Sequence, residues 1–316
     1  MHMVRTGRSL IVSLITALAA AAPAAAQNPR AALPRLDSAQ LVRDLFALAA
    51  DSMEGRRIGT PGGARARAWL TSRIRQIGLA PLRDSIAVPF TSTGRGGPGT
   101  AGVNLIAVIR GTRAPERYIV LSAHYDHLGV RDGQVYPGAD DNASGAVTVL
   151  AIAKWFKEHP PANSIVIALF DGEESGLLGA KAFVDAAAVP HDQIIANVNL
   201  DMVSRSEKGE LYAAGATKHP ELRPLLEATA AVAPVKLILG HDSGAGQNNW
   251  TSQSDQGAFN AKNIPWVYLG VEDHPDYHKP TDLPRNVEPG FFFRSATTIA
   301  EFVRRLDAAP PPRRTP

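Results

Sequence analysis

Short apolar runs alternate with helical patterns from residue 103 onward, and this alternation constrains the fold more than any other feature of the chain. Each run is rich in apolar or β-branched residues and is bounded by turn residues, which predicts a strand. The predicted strands are 103–109, 118–123, 164–170, 196–200 and 264–269. Strands that alternate with helices form a mostly parallel or mixed twisted sheet covered by helices on both faces. The sequence therefore predicts an α/β fold.

Helical periodicity flanks these strands. Two helices are predicted within residues 37–80, one at 147–156 and a last one at 290–306. The sequence has no internal repeat and no linker long enough to divide it, so we expect a single domain over residues 37–307. The tail 308–316 contains four prolines and two arginines and is expected to be disordered.

The N-terminus has the layout of a secretory signal. Arg5 and Arg8 precede an apolar run at 10–22, and three alanines at 24–26 stand before Gln27. A basic start, an apolar run and a small-residue cleavage site are typical of a signal peptide, here residues 1–26. We therefore expect a secreted or periplasmic protein. The apolar run is short for a membrane span, and an uncleaved anchor is the alternative.

Composition limits the kinds of site that the chain can form. It contains no cysteine, which excludes disulfides, thiol nucleophiles and thiolate zinc sites. Any metal must be held by imidazole and carboxylate groups. The formal net charge is +3, and it falls to +1 without residues 1–26, which contain two arginines and no acid. This near-neutral charge gives no reason to expect a nucleic acid or a stable membrane partner.

Acidic residues and histidines follow four of the predicted strands, and a Gly-rich segment at 138–145 adds two acids before a helix. The candidate site residues among them are His124, Asp126, His127, Asp141, Glu173, Glu174, Asp201, His274 and His278. Ligands bind at the carboxyl ends of the strands in open α/β sheets. Clustered carboxylates repel one another and are costly to bury unless a cation neutralises them. The sequence therefore predicts a metal site at this edge of the sheet.

The same segments resemble, in order, the motifs of the dizinc leucyl aminopeptidase-like metallopeptidases, a family that includes secreted bacterial zinc aminopeptidases. The matching segments are 123–126, 138–145, 173–179, 199–202 and 277–282, and the stretch 53–62 is similar to the family's leader region. The resemblance spans residues 41–306. It implies a zinc exopeptidase-like fold, two Zn²⁺ ions as cofactors, and a peptide or small amide substrate from which N-terminal residues are removed.

The resemblance also implies a ligand set. His124 and Asp201 would bind one zinc ion, Glu174 and His278 would bind the other, and Asp141 would bridge both. A bridging carboxylate with one or two terminal ligands on each metal leaves room for a shared water molecule.

Further roles follow from the resemblance around these ligands. Glu173 would be the general base, and Asp126 would orient His124 in the way that carboxylates fix metal-binding imidazoles. The peptide bond between Asp141 and Asn142 would be cis. The pair at 254–255 matches a supporting motif behind the metals.

The substrate pocket is expected to include Trp250, Tyr277 and His241. Some family members place a tyrosine hydroxyl near the metals, but this chain has Trp250 or Thr251 at that position. The group that stabilises the tetrahedral intermediate is therefore open between Tyr268, Tyr277 and the metals alone.

Two further histidines are not assigned as ligands. His127 either lines the pocket or is exposed, and we expect exposure. His274 precedes His278 by the four-residue spacing of helical metal ligands, but Pro275 and Pro280 make this segment a loop.

Three alternatives to an aminopeptidase stay open. A glutaminyl cyclase has a similar core but uses one zinc ion, and this chain keeps all five dizinc positions. A carboxypeptidase or deacylase of this fold normally carries a lid domain between the last two ligands, where only 76 residues separate Asp201 from His278. A non-catalytic receptor-like domain would be expected to lose ligands or the base, and neither is lost here.

Overall fold

The computed structural model describes residue 2 and residues 32–92, 99–244 and 248–310. The predicted signal segment lies outside these residues except for His2, as does the part of the tail beyond residue 310. Contacts gather the described residues from Leu33 onward into one compact unit. None of the helices in the described ranges combines the length and the apolar character that a membrane span requires.

Nine of the strands in the described ranges form one mixed sheet. Its strands are β1 (Ala80–Pro81), β2 (Ala87–Thr91), β3 (Ala101–Ile109), β4 (Ala114–His124), β7 (Asn163–Phe170), β8 (Ile194–Asp201), β9 (Glu210–Ala214), β10 (Lys236–Leu239) and β11 (Trp266–Gly270). The order is β1-β3-β7-β4-β8-β11-β9-β10, with β2 also paired to β3. The hairpin of β5 (Gly129–Arg131) and β6 (Gln134–Tyr136) is separate.

The centre of the sheet is parallel and fully buried. Strand β4 pairs in parallel with β7 on one side and β8 on the other, and β8 pairs in parallel with β11. Strands β7, β8 and β11 are buried along their whole length. Strands buried on both faces need continuous apolar sequence, which is the pattern from which they were predicted. The α/β fold is confirmed.

Helices cover both faces of this sheet. They are α1 (Ser38–Leu48), α2 (Pro61–Ile77), α3 (Gly145–Glu158), α4 (Leu178–Asp185), α5 (Arg223–Ala230), α6 (Gln256–Asn260) and α7 (Pro289–Ala308). The larger core packs α1, α2, α3 and α7 against one face, where Leu121 and Ile167 point. The smaller core packs α4 and α6 against the other, where Val120 and Val166 point. Neighbouring residues of one strand thus serve opposite cores.

Local sequence explains where the first helices begin and end. The Asp37 carboxylate accepts a hydrogen bond from the backbone of Gln40 and caps α1. The Thr60 hydroxyl caps α2, Pro61 occupies its first position, and Gly78 ends it in a left-handed conformation. Strand β11 begins at Trp266, two residues later than predicted.

Candidate metal centre

The parallel strands deliver polar residues to one edge of the sheet. His124 ends β4 opposite Phe170, the last residue of β7, after which the chain turns into the segment that carries Glu173 and Glu174. Asp201 ends β8 opposite Gly270, the last residue of β11. Because these strands run in parallel, their ends meet, as the sequence predicts.

One group of side chains forms around His124. Its Nε2 atom lies 3.3 Å from Asp201 Oδ1 and 3.4 Å from Asp141 Oδ1. All three residues are buried, and one ligand atom from each lies within 4.8 Å of the others. An imidazole and two carboxylates at this spacing could hold one metal ion.

A second group forms on the other side of Asp141. His278 Nε2 lies 3.2 Å from Asp141 Oδ2 and 3.3 Å from Glu174 Oε2. His127 Nδ1 lies 2.7 Å from Glu174 Oε1 and 3.6 Å from Asp141 Oδ2. His278 remains 39% exposed on its side chain, whereas Glu174 and His127 are largely or fully enclosed.

Asp141 is held firmly between the two groups. Its backbone N–H and that of Asp140 donate hydrogen bonds to the buried carboxylate of Asp282. Asn142 donates to the Leu200 carbonyl and accepts from the backbone of Gly145 at the start of α3. The Asp141–Asn142 peptide bond is cis, as the resemblance implied.

Glu173 lies beside the first group and lines an open cavity. Its Oε2 atom is 4.0 Å from His124 Nε2. Its backbone N–H donates a hydrogen bond to Asp126 Oδ1 over 3.0 Å. Asp126 itself differs from expectation, because its backbone carbonyl oxygen lies 3.2 Å from His124 Nδ1 while its carboxylate is 3.7 Å away. The carboxylate of Asp126 therefore supports Glu173, and the main chain of Asp126 orients the imidazole.

Burial governs the charges of this edge. It raises the pKa of Asp126 and Glu173 well above the usual carboxyl value and also raises the pKa of Asp141. Burial alone would lower the pKa of His278, but its contacts with Asp141 and Glu174 raise that pKa to about 10. The site thus concentrates acids whose ionised forms need positive charge nearby.

Unpartnered buried atoms provide a test of whether metal ions fit here. Asp126 Oδ2 and His127 Nε2 are buried and make no hydrogen bond, and the buried atoms His127 Nδ1 and Glu174 Oε1 have only each other within close reach. Buried polar atoms without partners are rare and costly. Nitrogen and oxygen donors of this kind are ligands that zinc accepts. The residues present fit metal ions on both sides of Asp141.

A cavity of about 470 Å³ opens beside the two groups. Its charged lining is mostly acidic and consists of Asp141, Glu173, Glu174, Lys181, Asp201 and Asp273. Its apolar lining consists of Leu177, Met202, Trp250, Tyr268, Val271 and Tyr277.

Two of the three predicted pocket residues line the cavity, and the third packs behind one of them. Trp250 and Tyr277 line the cavity, and Tyr277 stacks on His278 with the ring centroids 3.9 Å apart. His241 does not line it, contrary to expectation, because its ring lies flat against Trp250 at 3.8 Å. The Tyr268 hydroxyl donates to the Asp201 carbonyl over 3.1 Å.

The two unassigned histidines differ in outcome. His127 was expected to be exposed, and this expectation is wrong, since the residue is 0% exposed. His274 lies in a loop, as predicted, and its Nε2 atom is 3.2 Å from Asp140 Oδ2, outside both groups.

Sequence reasoning gave no role to Arg56. This fully buried residue donates hydrogen bonds to the carbonyls of Leu48, Tyr125, Pro137 and Gly138. It thereby joins the loop after His124 to the loop that leads to Asp141. The similarity of residues 53–62 to a family leader region was the signal that could have identified it.

Comparisons with known proteins agree with this geometry. The chain matches the sequence model of Peptidase family M28 over residues 104–303, a stretch that contains all five predicted metal ligands. A probable zinc metalloprotease of Pyrenophora teres f. teres (strain 0-1) is 30% identical over 231 residues, which cover 65% of this chain and 49% of the relative. A probable leucine aminopeptidase of Arthroderma benhamiae is 24% identical over 308 residues, covering 91% and 75%. The chain spans half or less of the length of the zinc metalloproteases that it matches.

Solved structures share the fold at low identity. A zinc aminopeptidase from Bacillus subtilis has a TM-score of 0.69 at 16% identity, over 85% of this chain and 95% of that chain. Glutaminyl cyclase from Porphyromonas gingivalis has a TM-score of 0.71 at 19% identity, over 86% and 99%. At such identities the likeness establishes the zinc exopeptidase-like fold alone.

Proposed function

This chain belongs to peptidase family M28, and we propose that it is an aminopeptidase that uses two zinc ions to remove N-terminal residues from peptides or small amides. His124 and Asp201 would hold one ion, Glu174 and His278 the other, and Asp141 both. The family is zinc-dependent in the relatives named above, and the likeness to a leucine aminopeptidase extends over most of this chain.

The observation that carries this proposal is the division of the Asp141 carboxylate between two groups. Oδ1 faces His124 Nε2 at 3.4 Å, and Oδ2 faces His278 Nε2 at 3.2 Å. A carboxylate that bridges two metals uses its oxygens in this way, and two-metal sites of hydrolases place the ions about 3.5–4 Å apart. A single-zinc site would leave one of the two groups without a cation.

The chain's own residues supply the proton transfer. When bound, zinc would polarise the scissile carbonyl and lower the pKa of the attacking water. Glu173 faces the cavity beside His124 and would take the proton from this water and pass it to the leaving amine. The hydrogen bond from its backbone to Asp126 fixes the position of Glu173 during both transfers.

The cavity suits a substrate with a free N-terminus. Asp273, a lining acid that binds no zinc in this proposal, would attract an α-ammonium group, while Leu177, Trp250 and Val271 offer an apolar surface to the adjoining side chain. Residues 1–26 add a further part of the proposal, since a secretory signal would direct the enzyme outside the cytoplasm.

A substrate screen on the full chain tests this function. Aminoacyl-nitroanilides should be hydrolysed, N-acetylated counterparts should not, and a zinc chelator should abolish the activity until zinc is restored. The E173Q variant is the matched control, because it should retain zinc and lose turnover. Normal hydrolysis by E173Q would refute the mechanism, and cyclisation of N-terminal glutamine without hydrolysis would indicate a glutaminyl cyclase instead.

A further inference from the structure

His127 occupies a position that leaves its ring almost no freedom. It lies three residues beyond His124 in the loop after β4 and is 0% exposed. Its ring packs on the backbone of Gly138, where a Cβ atom would collide with ring atoms of His127 and with the Asp141 carbonyl. Gly138 also has a φ of +55°, which a side chain rarely adopts. The loop before Asp141 is therefore shaped to admit this imidazole.

The ring points at the second group of carboxylates. Its Nδ1 atom lies 2.7 Å from Glu174 Oε1 and 3.6 Å from Asp141 Oδ2. One ligand atom from each of His127, Asp141 and Glu174 lies within 4.8 Å of the others. The ring centroid is 5.9 Å from that of His278, so both imidazoles approach the same two acids from different directions.

A single close contact holds this arrangement in the metal-free chain. His127 Nδ1 lies 2.7 Å from Glu174 Oε1, a hydrogen-bond distance, whereas the buried Nε2 atom makes no hydrogen bond. The largely buried carboxylates of Glu174 and Asp141 both face this one imidazole and repel each other, a cost that a bound cation would offset. Two atoms that each lie about 2.0–2.2 Å from one zinc ion are about 3.3–3.6 Å apart at the tetrahedral angle. The 3.6 Å from His127 Nδ1 to Asp141 Oδ2 fits this separation, and the 2.7 Å to Glu174 Oε1 would lengthen when an ion binds between them.

We propose that His127 is a ligand of the zinc ion between Asp141 and Glu174, bound through Nδ1 alongside His278. This inference rests on the proposed function, and it adds a sixth metal-binding residue to the five that the sequence suggests. The two zinc sites then differ, because one has a single imidazole and the other has two. His127 would hold its ion from inside the fold, whereas the side chain of His278 is partly exposed.

X-ray absorption of the zinc-loaded full chain tests this assignment directly. The multiple-scattering signal of imidazole counts histidine ligands, and we expect three for every two zinc ions. The H127Q variant should reduce the count to two. The H159Q variant is the matched control, since His159 is exposed, stacks on Trp155 and follows the last residue of α3, at the end of the helix opposite Asp141. It should leave the count at three.

Chelator competition supplies the second measurement. H127Q should weaken the binding of one of the two ions at least tenfold and leave the other unchanged. Two histidines in the wild-type protein, with both ions held equally well by H127Q, would overturn the role of His127 while the dizinc function stands. A wild-type chain that binds no zinc would overturn both. The wild-type histidine count decides the matter even if H127Q fails to fold.

Discussion

The carboxylate of Asp126 accepts a hydrogen bond from the backbone N–H of Glu173, with Oδ1 3.0 Å from the nitrogen. This bond connects the loop after β4, which carries a metal ligand, to the loop after β7, which carries the proposed general base. Asp126 is fully buried, so the bond is shielded from water. The position of Glu173 thus depends on a residue that does not itself face the cavity.

Replacement of Asp126 should slow turnover without removing metal. We expect D126A to lower kcat about 10–100-fold, the range found when groups that support a metal site are lost. D126N keeps an acceptor oxygen and should lose less. Steady-state kinetics and zinc analysis check this expectation. Full activity in D126A would show that the bond to Glu173 has no role in catalysis.

Arg56 should be a major contributor to stability. Its buried guanidinium serves four backbone carbonyls, and its removal leaves them without donors. We expect R56A to reduce the free energy of unfolding by about 3 kcal/mol or more, since each unsatisfied buried acceptor costs about 1–3 kcal/mol. Urea denaturation measures the change.

Arg65 offers a matched control for Arg56. It forms an exposed ion pair with Glu54 over 2.7 Å, and such pairs contribute about 0–1 kcal/mol. R65A should therefore unfold at nearly the wild-type urea concentration. Equal losses in the two variants would contradict the special role of Arg56.

A comparison of two glycines with positive φ distinguishes the cost of backbone strain from the cost of a steric clash at the metal centre. Gly133 has a φ of +74° and open space where a Cβ would lie, whereas Gly138 has a φ of +55° and no such space. G133A should cost about 1 kcal/mol through its left-handed conformation alone. G138A should cost more and should also weaken zinc binding, because it displaces His127 or Asp141. Zinc affinity that is equal in both variants would argue against this packing.

Much of the fold follows from continuous apolar sequence. Apolar residues fill the buried strands β7 and β8, most of β3 and the second half of β4, and α3 and α7 have clear helical periodicity. Strands β9 and β10 were not predicted, because they are short and β10 is only partly buried at the edge of the sheet. Such edge strands form because they pair with neighbouring strands, and the pattern of residues in a single sequence does not show which segments will pair.

The sequence predicts those parts of the candidate site that lie at the ends of strands. His124 and Asp201 end parallel neighbours, so their approach follows from the topology. His127 is buried because the loop before Asp141 packs against its ring at Gly138. The residues next to His127 in sequence give no sign of this contact. The contact of His124 with the Asp126 carbonyl rather than its carboxylate depends on loop geometry in the same way.

Zinc should stabilise the protein more as the pH rises. In the metal-free chain, contacts with Asp141 and Glu174 raise the pKa of His278 from 6.5 to about 10. The stability that these contacts give is complete below pH 6.5 and is lost as the pH approaches 10. Zinc requires the neutral imidazole, so protons compete with the metal in this range.

Thermal melts with zinc and with chelator should therefore diverge between pH 6 and pH 9. The zinc-dependent increase in Tm should grow over this interval. If the zinc-dependent increase in Tm became smaller as the pH rises, zinc would not be displacing a proton from His278.

Anomalous diffraction at the zinc absorption edge tests the central claim most directly. Crystals of the full chain grown with zinc should give two anomalous peaks, one next to Asp141 Oδ1 and His124 and the other next to Asp141 Oδ2 and Glu174. A single peak on one side of Asp141, or none at this carboxylate, would contradict the dizinc account.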